Sequence, residues 1–224
     1  MLARLRPVRL ITQQRAFFRR SVSTARLVES TASRSLALPL CFVSVRGWDT
    51  PHLVGWQDWI DRFAAKGYSS LLLDVDPSDA VQRAKSTSEL LSVLEQELAS
   101  LLRDPATSSP FPPLLFASSA STLLAETYVS SHPLSGLVLD EPVVATTART
   151  SLPEIFKTDP AEFNYEPGFP IAVIERERDG AARRHRLIEE FGGDDDDDLV
   201  RRLVAHRDEG GFERVMAWMD ENSL

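Results

Sequence analysis

The sequence predicts an α/β fold, a doubly wound and mostly parallel sheet of about six strands with helices on both faces. Short runs of β-branched and apolar residues alternate along the chain with longer segments whose apolar residues recur at helical spacing. The connections between these segments are short enough to join neighbouring elements of one domain. With 224 residues, 43% of them hydrophobic, the chain is large enough to bury the core of such a domain.

Each predicted element has a local signal. Six short apolar runs have the composition of strands, and they lie at 38–45, 69–75, 114–116, 135–139, 170–175 and 199–205. Helices are expected at 56–66, 78–102, 123–132 and 181–191, and in the last residues of the chain. Gly67 follows the first helix at the position where a left-handed residue ends it. The segment 143–168 has no clean period and contains three prolines, so it is expected as an irregular insert.

The N-terminal 28 residues differ in charge from the rest of the chain. They contain seven arginines and no acidic residue, together with Ser, Thr and scattered apolar residues. This is the composition of a mitochondrial presequence, whereas Arg9 and Arg15 interrupt the apolar centre that a secretory signal needs. We therefore expect a targeting presequence at 1–28, a linker at 29–37, a folded domain at 38–224 and the mitochondrial matrix as the compartment. The alternative is a basic arm that binds nucleic acid or anionic lipid.

Composition excludes several other classes of function. The net charge is −8 although seven arginines lie at the N-terminus, so the remaining chain is strongly acidic and unsuited to nucleic acid. Cys41 is the only cysteine, which rules out an internal disulfide, and no apolar run reaches the length of a membrane span. The five aspartates at 194–198 lack the ligand spacing of a calcium loop and are expected in an exposed loop. We find no phosphate-loop, zinc or dinucleotide motif, so no cofactor or metal is expected.

The most informative stretch lies between the strand at 114–116 and the helix that follows it. Five small residues, Ala117-Ser118-Ser119-Ala120-Ser121, join the two elements. A sharp turn between a strand and a helix holds its central side chain at the tip, which is the arrangement that a nucleophile needs. The stretch resembles the nucleophile elbow Gly-x-Ser-x-Gly of the α/β-hydrolase family, with the serine kept and both glycines replaced.

The resemblance extends to the order of the remaining candidate catalytic residues. In the α/β-hydrolase family the nucleophile is followed along the chain by an acid and then by a histidine. This chain has Ser119, Asp179 and His206 in that order, each just after a predicted strand. The resemblance implies that Ser119 is the nucleophile, that His206 is the general base, and that Asp179 orients His206.

The family also implies an oxyanion hole and a lid. The resemblance assigns the oxyanion to the main-chain N–H groups of Ala120 and Trp48. Trp48 follows Arg46-Gly47, where the family has a His-Gly pair, so the glycine is kept and the histidine is lost. The insert at 143–168 occupies the position of the family's lid and is short. The site is therefore expected to be open or covered by a partner.

Two hypotheses of different kinds follow. The first is a serine hydrolase that cleaves a small carboxylic ester or thioester, and acyl transfer to an alcohol would use the same residues. The alternative is a catalytically inactive binding or assembly protein of mitochondria, with a protein partner at an exposed surface formed by Trp48, Trp56 and Trp59. A serine close to a histidine and a carboxylate in the folded protein would favour the enzyme.

Overall fold

The computed structural model describes residues 22–49, 53–105, 109–176, 184–193 and 199–224. In the order of the chain, the described strands are β1 (Thr24–Val28), β2 (Leu40–Val45), β3 (Ser70–Val75), β4 (Leu114–Ser118), β5 (Gly136–Asp140), β6 (Ile171–Glu175), β7 (Gly192–Gly193) and β8 (Val200–Val204). The described α-helices are α1 (Gln57–Lys66), α2 (Ser78–Arg83), α3 (Thr87–Leu102), α4 (Ser121–Val129), α5 (Ala145–Ser151), α6 (Arg186–Phe191) and α7 (Glu209–Glu221). No helix in these ranges is both long and apolar enough to cross a membrane.

All eight strands belong to one sheet, in the order β1-β3-β2-β4-β5-β6-β8-β7. The strand β1 is antiparallel to β3, and every other pair is parallel. The predicted fold class is therefore confirmed, and the sheet has two strands more than expected. One addition is β1, and the other is the two-residue strand β7.

Buried side chains on the two faces of the sheet form two separate cores, because successive residues of a strand point to opposite faces. In β4, Leu115 and Ala117 contribute to the core beneath α3, α4 and α6. Leu114 and Phe116 contribute to the opposite core, beneath α1 and α7. Phe116 stacks on Phe42 of β2 with ring centroids 4.6 Å apart. Burying a side chain of this size stabilises the fold by about 1.5–3 kcal/mol, so both helical layers are held by the central strands.

The N-terminal boundary of the domain differs from the prediction. Residues 24–28, expected at the end of the presequence, form β1 and pair residue by residue with β3, from Thr24 opposite Asp74 to Val28 opposite Ser70. The expected linker also packs on the domain, since the N–H of Thr31 donates to the carbonyl of Ala64 at 3.0 Å. Described residues before the predicted boundary at residue 38 thus also pack against the sheet and α1. The strand β1 contains Arg26 and no acidic residue, like the segment before it. The sequence composition therefore did not distinguish this strand from the predicted presequence.

The long helix predicted at 78–102 is two helices. Ser86 begins the second one, because its hydroxyl accepts a 3.2 Å hydrogen bond from the N–H of Glu89. The carboxylate of Glu89 reaches back to accept from the N–H of Lys85 at 2.8 Å. This reciprocal capping follows the pattern Ser-x-x-Glu, which marks a helix start in the sequence. The insert at 143–168 likewise contains one short helix, α5.

The parallel strands place their carboxyl ends along one edge of the sheet. The last residues of β4, β5, β6 and β8 are Ser118, Asp140, Glu175 and Val204. In open parallel sheets, ligands bind in the crevice outside this edge. Ser119 and His206 both follow strands that end there, so the candidate site lies at this edge.

Candidate active site

Ser119 lies at the tip of the turn between β4 and α4 and has a left-handed backbone, with φ at 49°. Its N–H donates to the carbonyl oxygen of Asp140 at 3.0 Å, and its own carbonyl accepts from the hydroxyl of Thr122 at 2.6 Å. A residue other than glycine in this conformation is strained by about 1–3 kcal/mol and persists where its surroundings fix it. The two hydrogen bonds hold Ser119 from both sides. Its hydroxyl is partly exposed and has no hydrogen-bond partner among the described residues.

Ser121 replaces the second glycine of the elbow pattern and forms a hydrogen-bonded bridge. Its buried hydroxyl accepts from the N–H of Val45 at 2.8 Å and donates to the carboxylate of Asp49. The same carboxylate accepts from the hydroxyl of Ser44 at 2.8 Å and from the N–H of Ser121 at 3.2 Å. Burial raises the pKa of Asp49, and the hydrogen bonds from Ser121 and Ser44 oppose that shift. The hydroxyl that Ser121 has in place of a glycine hydrogen therefore links α4 to the end of β2.

The two predicted oxyanion donors differ in availability. The N–H of Ala120 has no acceptor within the described part of the chain, so it is free to bind an oxyanion beside Ser119. The N–H of Trp48 instead donates to the carbonyl of Val45 at 3.0 Å and closes a tight turn. In this conformation the N–H of Trp48 is therefore not available to an oxyanion, because it is already used within the loop. Gly47, with φ at 81°, precedes it in the same turn.

His206 and Asp179 are the other two members of the predicted triad, and only His206 lies within the described residues. His206 follows β8, its side chain is exposed, and it makes no hydrogen bond or ion pair with any described residue. Asp179 lies outside the described residues. In sheet order, β5 and β6 separate β4 from β8, so Ser119 and His206 lie at one edge about 14 Å apart at the level of the strand axes.

A buried ion pair that the sequence did not reveal spans part of this gap. The Nε of Arg207 lies 2.7 Å from Oδ2 of Asp140, a charge contact without the geometry of a hydrogen bond. Asp140 is only 3% exposed, and the guanidinium of Arg207 lies 4.6 Å from the ring centroid of Trp56. Burial raises the pKa of Asp140 to about 6, and the charge of Arg207 opposes the shift. Asp140 therefore contacts both the nucleophile turn and the residue after His206.

Further ion pairs follow the same edge of the sheet. Glu141 has a left-handed backbone, with φ at 47°, and lies 3.0 Å from Arg176. Arg202 of β8 lies 2.9 Å from Glu175 of β6. Arg46, at the position of the family's histidine, lies 2.8 Å from Asp76 and also pairs with Asp74. The loss of that histidine is thus accompanied by an arginine whose charge is satisfied within the fold.

The expectation that Trp48, Trp56 and Trp59 form an exposed surface is wrong, because all three side chains are buried. Trp48 is 8% exposed, and Trp56 and Trp59 are each 1% exposed. Trp56 and Trp59 pack edge to face at 5.5 Å in the core beneath α1 and α7. Trp48 packs against Phe156 in the opposite core, with ring centroids 5.2 Å apart. The helical spacing of Trp56 and Trp59 indicated that they lie on a buried face, but it did not show that both side chains, and that of Trp48, are shielded from solvent.

A second buried pair links α4 to the start of α6. The Nε2 of His185 lies 3.0 Å from Oε1 of Glu126, and Nδ1 of His185 accepts from the N–H of Leu187 at 3.4 Å. Both side chains are about 5% exposed and border a cavity of about 80 Å³. Burial raises the pKa of Glu126, and His185 opposes the shift. Since both ring nitrogens of His185 are used internally, this histidine acts as a structural link.

Comparison with known proteins identifies the fold. No protein-family model matches the sequence, and no curated protein sequence matches it. Among solved structures, the chain is similar to an α/β-hydrolase enzyme from the metagenome of sediments of the Mar Chica lagoon in Morocco, with a TM-score of 0.59, 11% identity and coverage of 91% of this chain and 97% of that one.

Two further solved structures show the same likeness. An esterase of Pyrococcus furiosus is similar with a TM-score of 0.57 and 13% identity, over 90% of this chain and 86% of that one. The NocB thioesterase domain, solved in a covalent complex with a fluorophosphonate nocardicin G analog, is similar with a TM-score of 0.52 and 12% identity, over 90% and 100% of the two chains. The protein therefore has the α/β-hydrolase fold.

Proposed function

We propose that the protein is a serine hydrolase that cleaves a carboxylic ester or thioester, with Ser119 as its nucleophile. The observation that carries the proposal is the left-handed backbone of Ser119, at φ 49°, in the turn between β4 and α4. Strain of this kind is found where a side chain must be presented for function. The similar esterase and the thioesterase domain are consistent with this chemistry.

In the proposed reaction, the hydroxyl oxygen of Ser119 attacks the acyl carbon while His206 accepts the hydroxyl proton. The tetrahedral oxyanion accepts a hydrogen bond from the N–H of Ala120. Collapse of this intermediate releases the alcohol or thiol, which takes the proton from His206, and leaves an acyl group on Ser119. Water then attacks the acyl group with His206 again acting as the base, releasing the acid and restoring Ser119. Asp179 is proposed as the carboxylate that orients His206.

The test is labelling of the purified protein by a fluorescent fluorophosphonate, which reacts with activated serines. We expect the wild-type protein to be labelled and Ser119→Ala to be unlabelled. Ser118→Ala is the matched control, because Ser118 is the adjacent residue but is buried at the end of β4. It should label at a rate close to that of the wild type. Absence of labelling in folded wild-type protein would overturn the proposal.

We also propose the mitochondrial matrix as the compartment, on the basis of the seven arginines and the absence of acidic residues in the first 28 residues. Import of the full-length chain into isolated mitochondria, followed by protease treatment, tests this directly. Protection that depends on the membrane potential supports matrix targeting. A chain that stays accessible to the protease contradicts it and favours the basic-arm alternative.

A further inference from the structure

Building on the proposed function, we propose that Asp140 and Arg207 are positioning residues whose ion pair holds the His206 loop in reach of Ser119. Asp140 touches both parts of the site. Its carbonyl oxygen accepts from the N–H of Ser119 at 3.0 Å, and its carboxylate lies 2.7 Å from Nε of Arg207. The nucleophile turn and the residue adjacent to the proposed base are thus tied to one buried residue.

The strand order of the sheet explains why the position of the His206 loop needs the ion pair between Asp140 and Arg207. His206 follows β8, and both β6 and β5 separate that strand from β4. A histidine at the end of β8 reaches Ser119 only if its loop leans back across these two strands. The side chain of Arg207 crosses β6 to reach Asp140 at the end of β5, so the residue after His206 is tied to the strand next to β4. Because consecutive Cα atoms are about 3.8 Å apart, fixing Arg207 also restricts the backbone of His206.

Two contacts from the helical layer hold the same loop from the other side. The indole N–H of Trp59 donates to the carbonyl of Asp208 at 3.1 Å. Gly211 of α7 lies directly against His206, and a Cβ at this glycine would fall 1.8 Å from the carbonyl oxygen of His206. The main chain of residues 206–208 is therefore held on the helix side by contacts at the carbonyl groups of His206 and Asp208. On the sheet side, the described residues fix the loop through a titratable ion pair.

The ring of Trp56 explains why Arg207 is suited to this role. Arg207 lies over Trp56, which is itself buried against Phe116 of β4 with ring centroids 5.9 Å apart. A planar guanidinium can stack on an aromatic ring and contact a carboxylate at the same time, which an ammonium group does less well. The stack and the ion pair together leave the Arg207 side chain 15% exposed. The loop is thus anchored through the same buried cluster that supports the nucleophile strand.

The experiment compares rates of fluorophosphonate labelling in three proteins: wild type, Asp140→Asn and the double variant Asp140→Asn/Arg207→Met. The double variant removes both charges, so no lone buried charge is left to unfold the protein. We expect its labelling rate to fall by about 10²-fold, the usual consequence of misplacing a catalytic group by about 1 Å. The matched control is Glu175→Gln/Arg202→Met, which removes a neighbouring pair at the same edge. It should leave the rate within twofold of the wild type.

The pH profile separates positioning from a purely structural role. Burial raises the pKa of Asp140 to about 6, with Arg207 and Arg176 lowering it and Glu141 raising it. As the pH falls through about 6, Asp140 becomes protonated and its charge interaction with Arg207 is lost. The wild-type rate should therefore fall towards that of the double variant as the pH drops through this range, so the difference of about 10²-fold should be present at neutral pH and shrink at low pH.

The outcomes are distinguishable. An unlabelled wild-type protein overturns the proposed hydrolase function itself. A labelled wild type with a double variant that is labelled at the same rate at every pH overturns the positioning role alone. A double variant that is slower than the wild type by the same factor at every pH also counts against the role, since the charge of Asp140 would then not cause the difference in rate.

Discussion

The hydroxyl of Ser121 accepts a 2.8 Å hydrogen bond from the main-chain N–H of Val45, which joins the first residue of α4 to the last residue of β2. This contact occupies the place where the family pattern has a glycine. Here the Ser121 hydroxyl fills that place and forms a polar bridge, with Asp49 as its second hydrogen-bond partner. The bridge makes the stability of the elbow depend on a side chain.

We predict that Ser121→Ala lowers the free energy of unfolding by about 1–3 kcal/mol, because the buried N–H of Val45 and the carboxylate of Asp49 each lose a partner. Urea denaturation monitored by tryptophan fluorescence measures the change. Ser130→Ala is the control, since that exposed serine donates only to a carbonyl of its own helix. A Ser121 variant as stable as the wild type would show that the bridge contributes nothing.

The buried carboxyl of Asp140 should make stability depend on pH in an unusual direction. Its pKa is raised to about 6 in the folded protein, so the folded state holds the proton more tightly than the unfolded chain. Stability contributed by this group is present at low pH and is lost as the pH rises from about 4 to about 6. Relative to Asp140→Asn, the wild type should lose about 2 kcal/mol between pH 4 and pH 7. Urea denaturation of both proteins across this range tests the sign, and a relative gain for the wild type would contradict it.

The edge strand β1 predicts a difference between two N-terminal truncations. A chain that starts at Ser23 keeps β1, whereas a chain that starts at Glu29 loses its five residue pairs with β3. We expect the shorter chain to melt at least about 5 °C lower, which corresponds to roughly 2 kcal/mol for a domain of this size. Differential scanning calorimetry of the two proteins measures this. Equal melting temperatures would mean that β1 adds no stability to the sheet.

His185 should matter for stability and not for labelling. His185→Ala leaves Glu126 buried without its partner and should cost about 3–5 kcal/mol. The double variant Glu126→Leu/His185→Leu removes both polar groups and should recover most of that loss. The labelling rate of the folded fraction should equal that of the wild type in both variants. A loss of labelling in the stable double variant would instead implicate His185 in the chemistry.

The fold was predictable because its signals are local. The apolar runs of β2 to β6, the glycine after α1 and the small residues around Ser119 each indicate their structure within a few positions. The pairing of Asp140 with Arg207 had no such signal, since it depends on which strands are neighbours in the sheet. The use of the Trp48 N–H within its own turn likewise depends on backbone conformation, which the residue types alone did not specify.

The antiparallel direction of β1 determines at which end of the sheet its first residue, Thr24, lies. Thr24 lies opposite Asp74, near the carboxyl end of β3, so the chain enters the domain at the edge that carries Ser119. At the other terminus, the carbonyl of Leu224 accepts from the hydroxyl of Tyr68 at 3.2 Å, just before β3 begins. Thr24 and Leu224 therefore lie at opposite ends of the strands. An affinity tag or immobilisation handle belongs at the C-terminus, where it leaves the edge with Ser119 facing the solution.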